Sequence, residues 1–259
     1  MFRLCIVLFF IILPSAFAEP LPNKVRVCLI DSELFPLWRK PGDEEFDNPG
    51  INIELQQSIA LEFGHEIEWI RAPFPRCLVL LRQNEVDMLN VASYNADRER
   101  YGHYPKNNGA IDDTRYLKPD SYYAYVMADS NVTWNGKEFN DIQNLPVAIE
   151  IGASIRTFLN EIDISVYELS RASQGFGMLT RGRVAAVVTN QFEGSKYESD
   201  DIVALQPVVK KKEYYLMVSR EFYALYPELS ERIWSYSANV RQAKYNSLIT
   251  RYGQLNSWH

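Results

Sequence analysis

The chain has 259 residues, 47% of them hydrophobic, and a formal net charge of −6 at pH 7. That supplies apolar material for one large domain or two modest ones and excludes a disordered, low-complexity chain. An acidic balance spread along the sequence also argues against nucleic acid or an anionic membrane surface as a partner.

The first residues, "MFRLCIVLFFIILPSAFAEP", place Arg3 before an apolar run from Leu4 to Leu13 and end in the small residues Ala16 and Ala18. The run is well short of the ~20 residues a spanning helix needs, so residues 1–18 read as a cleaved secretory signal peptide. Two cysteines follow it, Cys28 and Cys77. Export permits a disulfide between them, and two buried thiols are an equal alternative; there is no CxxC spacing for redox or zinc chemistry.

"VRVCLI" (25–30) reads as a buried strand. After the turn "DNPG", Leu55, Ile59 and Phe63 recur at helical spacing with Gly64 as a stop, which predicts an amphipathic helix. "EIEWI" is the next strand, "PRCLVLLRQN" a short helix with Pro75 at its start, and "VDMLNV" (86–91) the third strand. The order β-α-β-α-β implies a parallel sheet with helices on its faces. A second such unit follows: strand "LPVAIEIG", helix "SIRTFLNEI", strand "ISVYEL", short helix "GFGMLTRGR" and strand "VAAVVTN". Extended stretches lie between and after the units, at "SYYAYVMADS" (121–130) and "VVKKKEYYLMVS" (208–219). The chain closes with the helix "YPELSERIWSYSANVRQ" and a second helical stretch, "YNSLITRYG". Two open sheets joined by two extended crossovers predict an α/β protein of two lobes, with the ligand site at the carboxyl ends of the strands.

Catalytic and metal motifs are missing: there is no GxSxG, HExxH, Walker loop or GxGxxG after a strand. The three histidines, His65, His103 and His259, have no metal-ligand spacing. Nothing nominates a nucleophile and its base, although Glu33 and Glu150 fall near strand ends. No enzyme activity and no cofactor are expected. "ASYNADRERYGHYP" (92–105), at the carboxyl end of the third strand, carries Arg98 and Arg100 among acids and aromatics.

Six segments in order resemble the bacterial family 3 solute-binding proteins, the periplasmic amino-acid-binding type that serves as the substrate-binding part of ABC transporters. They are "LFPLW", "GINIELQQSIALEFG", "RQNEVDML", "SYNADR", "LPVAIEIGAS" and "RGRVAAVVTN", and "PFPRCL" is similar to a proteobacterial subgroup of exported members. The resemblance implies a two-lobed type II periplasmic-binding-protein fold that closes on a small ligand by bending at its hinge crossovers. It implies residues 19–122 and 211–259 as lobe 1 and 123–210 as lobe 2. By the same resemblance Arg98 pairs with a ligand carboxylate through its planar guanidinium. Ser93 supplies a hydroxyl to that group, and Gly152 and Ser154 a turn at a helix start. Phe35 and Trp38 match aromatic positions beside the ligand, with core packing an equal alternative. Asn190 stands where family members that bind α-amino acids carry an aspartate for the ammonium; an amide has no charge to offset one. Ala153 stands where a hydroxyl residue is common. Arg100 matches no ligand role, and Arg76 reads first as a structural salt bridge. The expected partners are a small carboxylate-bearing solute and a membrane component, either an ABC permease or a sensor, for a monomeric periplasmic chain. A dehydratase-like enzyme on the same scaffold is the remaining alternative.

Overall fold

A computed structural model describes residues 22–43 and 46–255. The signal-peptide reading of residues 1–18 and His259 lie outside the described residues. Nine main strands form one mixed sheet: β1 (Lys24–Ile30), β2 (Glu66–Ala72), β3 (Met88–Ser93), β4 (Lys118–Met127), β5 (Val147–Glu150), β6 (Val166–Leu169), β7 (Ala186–Asn190), β8 (Ile202–Ala204) and β9 (Lys210–Val218). The strand order is β6-β5-β7-β4-β9-β3-β1-β2, with β8 pairing to β4. The helices are α1 (Ile51–Phe63), α2 (Phe74–Arg82), α3 (Ile155–Glu161), α4 (Ala172–Leu179), α5 (Gln191–Gly194), α6 (Arg220–Leu225) and α7 (Pro227–Leu255).

Both β-α-β-α-β units form as the sequence predicts. In the first, β1 runs parallel to β2 and β3; in the second, β5 runs parallel to β6 and β7. Strand alternation sends Val25, Val27 and Leu29 to one face, where α1 and α7 cover them, and Cys28 to the other, where α2 does. Each such side chain contributes about 1.5–3 kcal/mol on full burial. The second lobe repeats the three layers: Ile155 and Leu159 of α3 pack on one face, Phe176 and Leu179 of α4 on the other.

The extended stretches 121–130 and 208–219 do more than connect. Lys118–Tyr122 pairs antiparallel with Lys210–Tyr214, while the remainder of β4 pairs with β7 and the remainder of β9 with β3. The two parallel sheets thus run into one another through the paired crossovers, because an extended chain buried between two sheet edges must find partners for its amides.

Two helices differ from expectation. The closing segment is a single 29-residue helix, because no proline or glycine interrupts residues 228–252 and its inner side stays buried from Leu229 to Tyr252. The short helix of the second unit starts earlier, at Ala172, and stops at Leu179; residues 180–183 turn back, with the Arg183 amide donating to the Met178 carbonyl. Gly64 ends α1 in the left-handed region, φ 69°, as a glycine stop requires.

Cys28 and Cys77 form a disulfide with Cα atoms 5.7 Å apart. It ties α2 to β1 and so fixes the helix that carries Phe74. Arg76, at the exposed start of α2, lies 3.8 Å from Glu85, an ion pair at the surface.

Candidate functional site

Arg98 sits in a 3-10 turn (Ala96–Arg100) that follows β3 directly. Asn95 opens the turn by accepting from the Asp97 amide at 2.9 Å, which reverses the chain and sends the next side chains back over the strand end. The Arg98 guanidinium is 7% exposed. Its Nη1 donates to the Ser93 carbonyl at 2.6 Å and to Ser93 Oγ at 3.0 Å. Nη2 donates across to the other lobe, to the Gly152 carbonyl at 2.7 Å, and the ring of Phe74 lies under it, 4.8 Å from Cζ.

Gly152, in the turn two residues after β5, has φ 79°, a conformation that aims its carbonyl at Arg98 and that a side chain would strain. Two residues on, Ser154 is buried at the start of α3, a helix of only seven residues, and its hydroxyl does not cap that helix. Instead it meets Ser93 Oγ at 2.7 Å and the Tyr122 hydroxyl at 3.4 Å. Asn95 Nδ2 adds a further link across, to Thr157 Oγ1 at 3.2 Å. Ser93, Arg98, Gly152 and Ser154 therefore converge, two from each lobe.

The other three sequence-selected residues make contacts of their own. Trp38 is buried in the core of the first lobe, its indole N–H donating to the Ser32 carbonyl at 2.5 Å. Phe35 packs edge-on against Tyr252 of α7, with ring centroids 6.4 Å apart. Asn190 spends its side-chain oxygen on capping α5, accepting from the Glu193 amide at 3.0 Å. Asn190→Ala is therefore expected to cost about 1 kcal/mol of stability, read as a shift in urea midpoint at constant slope. Arg100 is exposed and stacks on its neighbour Tyr101.

Sequence reasoning passes over the residues on the paired crossovers. Lys118 is 1% exposed and bonds Asp120 at 2.6 Å; the Tyr214 ring lies 4.5 Å from its Nζ. The Tyr214 hydroxyl reaches that of Tyr122 at 3.5 Å, and burial, reinforced by Tyr122 and Asp120, pushes the Tyr214 phenol well above its ordinary value. The Tyr104 phenol, whose hydroxyl donates to the Ser93 carbonyl at 3.0 Å, is raised by burial against the opposing charge of Arg98. Burial lowers the Lys212 ammonium, and the charges of Lys210 and Arg98 lower it further. The period-two pattern was the available signal: it sets Lys118, Asp120 and Tyr122 of "KPDSY" on one face of a strand, and Lys210, Lys212 and Tyr214 of "KKKEY" on one face of another.

Glu150 is raised to about 6, first by burial and then by the charge of Glu193. The groups about it are Thr189, Ala172, Glu193 and Lys196. Its folded value exceeds the ordinary 4.5, so the fold favours the protonated acid, and stability is lost as pH rises from there through about 6. Glu150→Gln is expected to raise stability by about 2 kcal/mol at pH 8 and to change it little at pH 4, as urea midpoints at the two pH values will show. A separate cavity of about 380 Å³ lies in the second lobe, lined by Tyr123, Tyr125, Gln191, Glu198, Ile202 and Gln206. It shares no residue with the Arg98 cluster.

No protein-family model matches the chain, and no curated protein matches it. Solved structures do. A mutant of ArgBP from T. maritima superposes with a TM-score of 0.67 at 19% identity, covering 90% of this chain and 96% of that one. The GluR0 ligand-binding core from Nostoc punctiforme, in complex with L-glutamate, gives 0.64 at 17% identity, with 89% and 99% covered. The ancestral amino acid-binding protein AncCDT-1, a precursor of cyclohexadienyl dehydratase, gives 0.64 at 16%, with 89% and 95% covered. Near-complete coverage in both directions makes this a likeness of the whole chain's fold. The chain has the two-lobed α/β fold of the family 3 solute-binding proteins.

Proposed function

We propose that the protein binds a small carboxylate-bearing solute between its lobes and releases it unchanged. The observation that carries this reading is Arg98, a nearly buried guanidinium that reaches from one lobe to the other. Among the described residues no carboxylate lies within ion-pair distance of it. A buried cation satisfied only by neutral oxygens is costly, and a carboxylate fits its planar fork in a bidentate pair. Ser93 and Ser154 supply hydroxyl donors beside it. Residues 19–122 with 211–259, and residues 123–210, act as the two lobes that close on the solute. The arginine and glutamate held by structural neighbours support a ligand of this size and class.

Residues 1–18 direct export to the periplasm, where the loaded monomer meets an ABC importer or, as the second candidate receiver, a membrane sensor. The likeness to a dehydratase precursor keeps an enzyme in view, but Glu150, the one carboxyl among the described residues raised toward neutrality, has partners distinct from those of Arg98. Calorimetric titration with acetate, succinate, L-glutamate, L-glutamine and L-arginine tests the reading. One site per chain with the solute recovered intact is expected; turnover of a bound solute would replace it with the enzymatic alternative.

A further inference from the structure

Charge on the strand beside Arg98 narrows the class of solute. Lys210, Lys212 and Tyr214 alternate onto one face of β9. Two of them are located by contacts: Lys210 Nζ lies 4.8 Å from the ring of Phe158 in α3, and the Tyr214 hydroxyl meets Tyr122, which in turn meets Ser154. Lys212, half-buried, lies between them on the same face and feels the charge of Arg98. Among the described residues neither Lys212 nor Lys210 has a carboxylate within ion-pair distance. The nearby acids are engaged or remote: Asp120 is held by Lys118, and Glu161 and Glu213 offset Lys212 less than Lys210 and Arg98 oppose it. On the other side of Ser154 and Tyr122, Asn190 offers an amide whose oxygen is already taken.

We infer that the solute carries two acidic groups, one held by Arg98 and the second received by Lys212. This rests on the solute-binding reading above and adds its charge. Two like charges set close together repel, and a single monoanion leaves one of them uncompensated; a dianion satisfies both and asks nothing of Asn190.

Matched pairs differing in one charge supply the test: succinate against succinamate, glutarate against glutaramate, and L-glutamate against L-glutamine, titrated into the chain and its variants. The dicarboxylate of at least one pair binds about tenfold or more tighter than its monoamide. Lys212→Met, which keeps the apolar stem, reduces that preference to within about twofold, and Lys212→Arg restores it. Equal affinity within every pair, or a preference that survives Lys212→Met, overturns the second acidic group and leaves the solute-binding reading standing. If no member of any pair binds the wild-type chain, both fall together.

Discussion

Arg98→Ala is expected to weaken carboxylate binding by about thirtyfold at least, and by up to several thousandfold. Truncating one partner of a buried, hydrogen-bonded charge pair costs about 2–5 kcal/mol, and each ~1.4 kcal/mol is a factor of ten. The fold should survive the change. Among the groups Arg98 contacts, the Ser93 carbonyl keeps the Tyr104 hydroxyl and Ser93 Oγ keeps Ser154, so the cooperative melt of the unliganded chain persists. Arg98→Lys retains the charge without the planar fork and should fall between wild type and alanine. Arg100→Ala, two residues away on the surface, should leave affinity within about twofold, as expected for an exposed charge. Calorimetric titration of the three variants with the tightest-binding carboxylate gives these ratios, and unchanged affinity in Arg98→Ala would remove its assigned role.

Loss of the disulfide should produce the largest change in stability. The bond joins residues 49 apart in sequence, and closing a loop of that length restricts the unfolded chain by about 4 kcal/mol. The paired Cys28→Ala, Cys77→Ala variant is therefore expected to unfold at a clearly lower denaturant concentration, and reductant should have no further effect on it. Because α2 carries both Cys77 and the Phe74 ring beneath Arg98, a modest loss of affinity should accompany the loss of stability. Equal denaturant midpoints for the variant and the oxidised wild type would show that the bond contributes nothing.

What the sequence made legible was local. The spacing of Leu55, Ile59 and Phe63 before Gly64 marks α1 because helix period and glycine stop are written in adjacent residues. The turn that presents Arg98 is likewise contained within Ser93–Arg100, and the glycine that aims a carbonyl at it closely follows the apolar strand Val147–Glu150. What escaped depends on distant partners. Lys118 and Lys212 lie on strands whose pairing unites residues about ninety apart, and no local pattern states that two linkers will bond to each other. Trp38 was equally ambiguous, since an aromatic after a strand serves core and site alike; its place among Leu34, Leu37 and Ile51 is decided by α1 packing over it. Asn190 shows the converse. Its match to the family's aspartate position pointed to a ligand contact, and no local pattern signalled that the short helix beginning at Gln191 also takes its oxygen as a cap. The disulfide lay between these cases: compartment allowed it, but only the approach of α2 to β1 brings the two Cα atoms to 5.7 Å.

The central claim is that the solute lies between the lobes, held from both sides. Amide hydrogen exchange of the wild-type chain with and without a saturating carboxylate tests it most directly, because protection maps where binding stabilises the structure. Added protection is expected in two segments together, residues 93–98 and 152–157, which belong to different lobes and are separated by more than fifty residues of sequence. Protection confined to one of them, or appearing instead around Tyr123, Tyr125 and Ile202 at the second-lobe cavity, would contradict it.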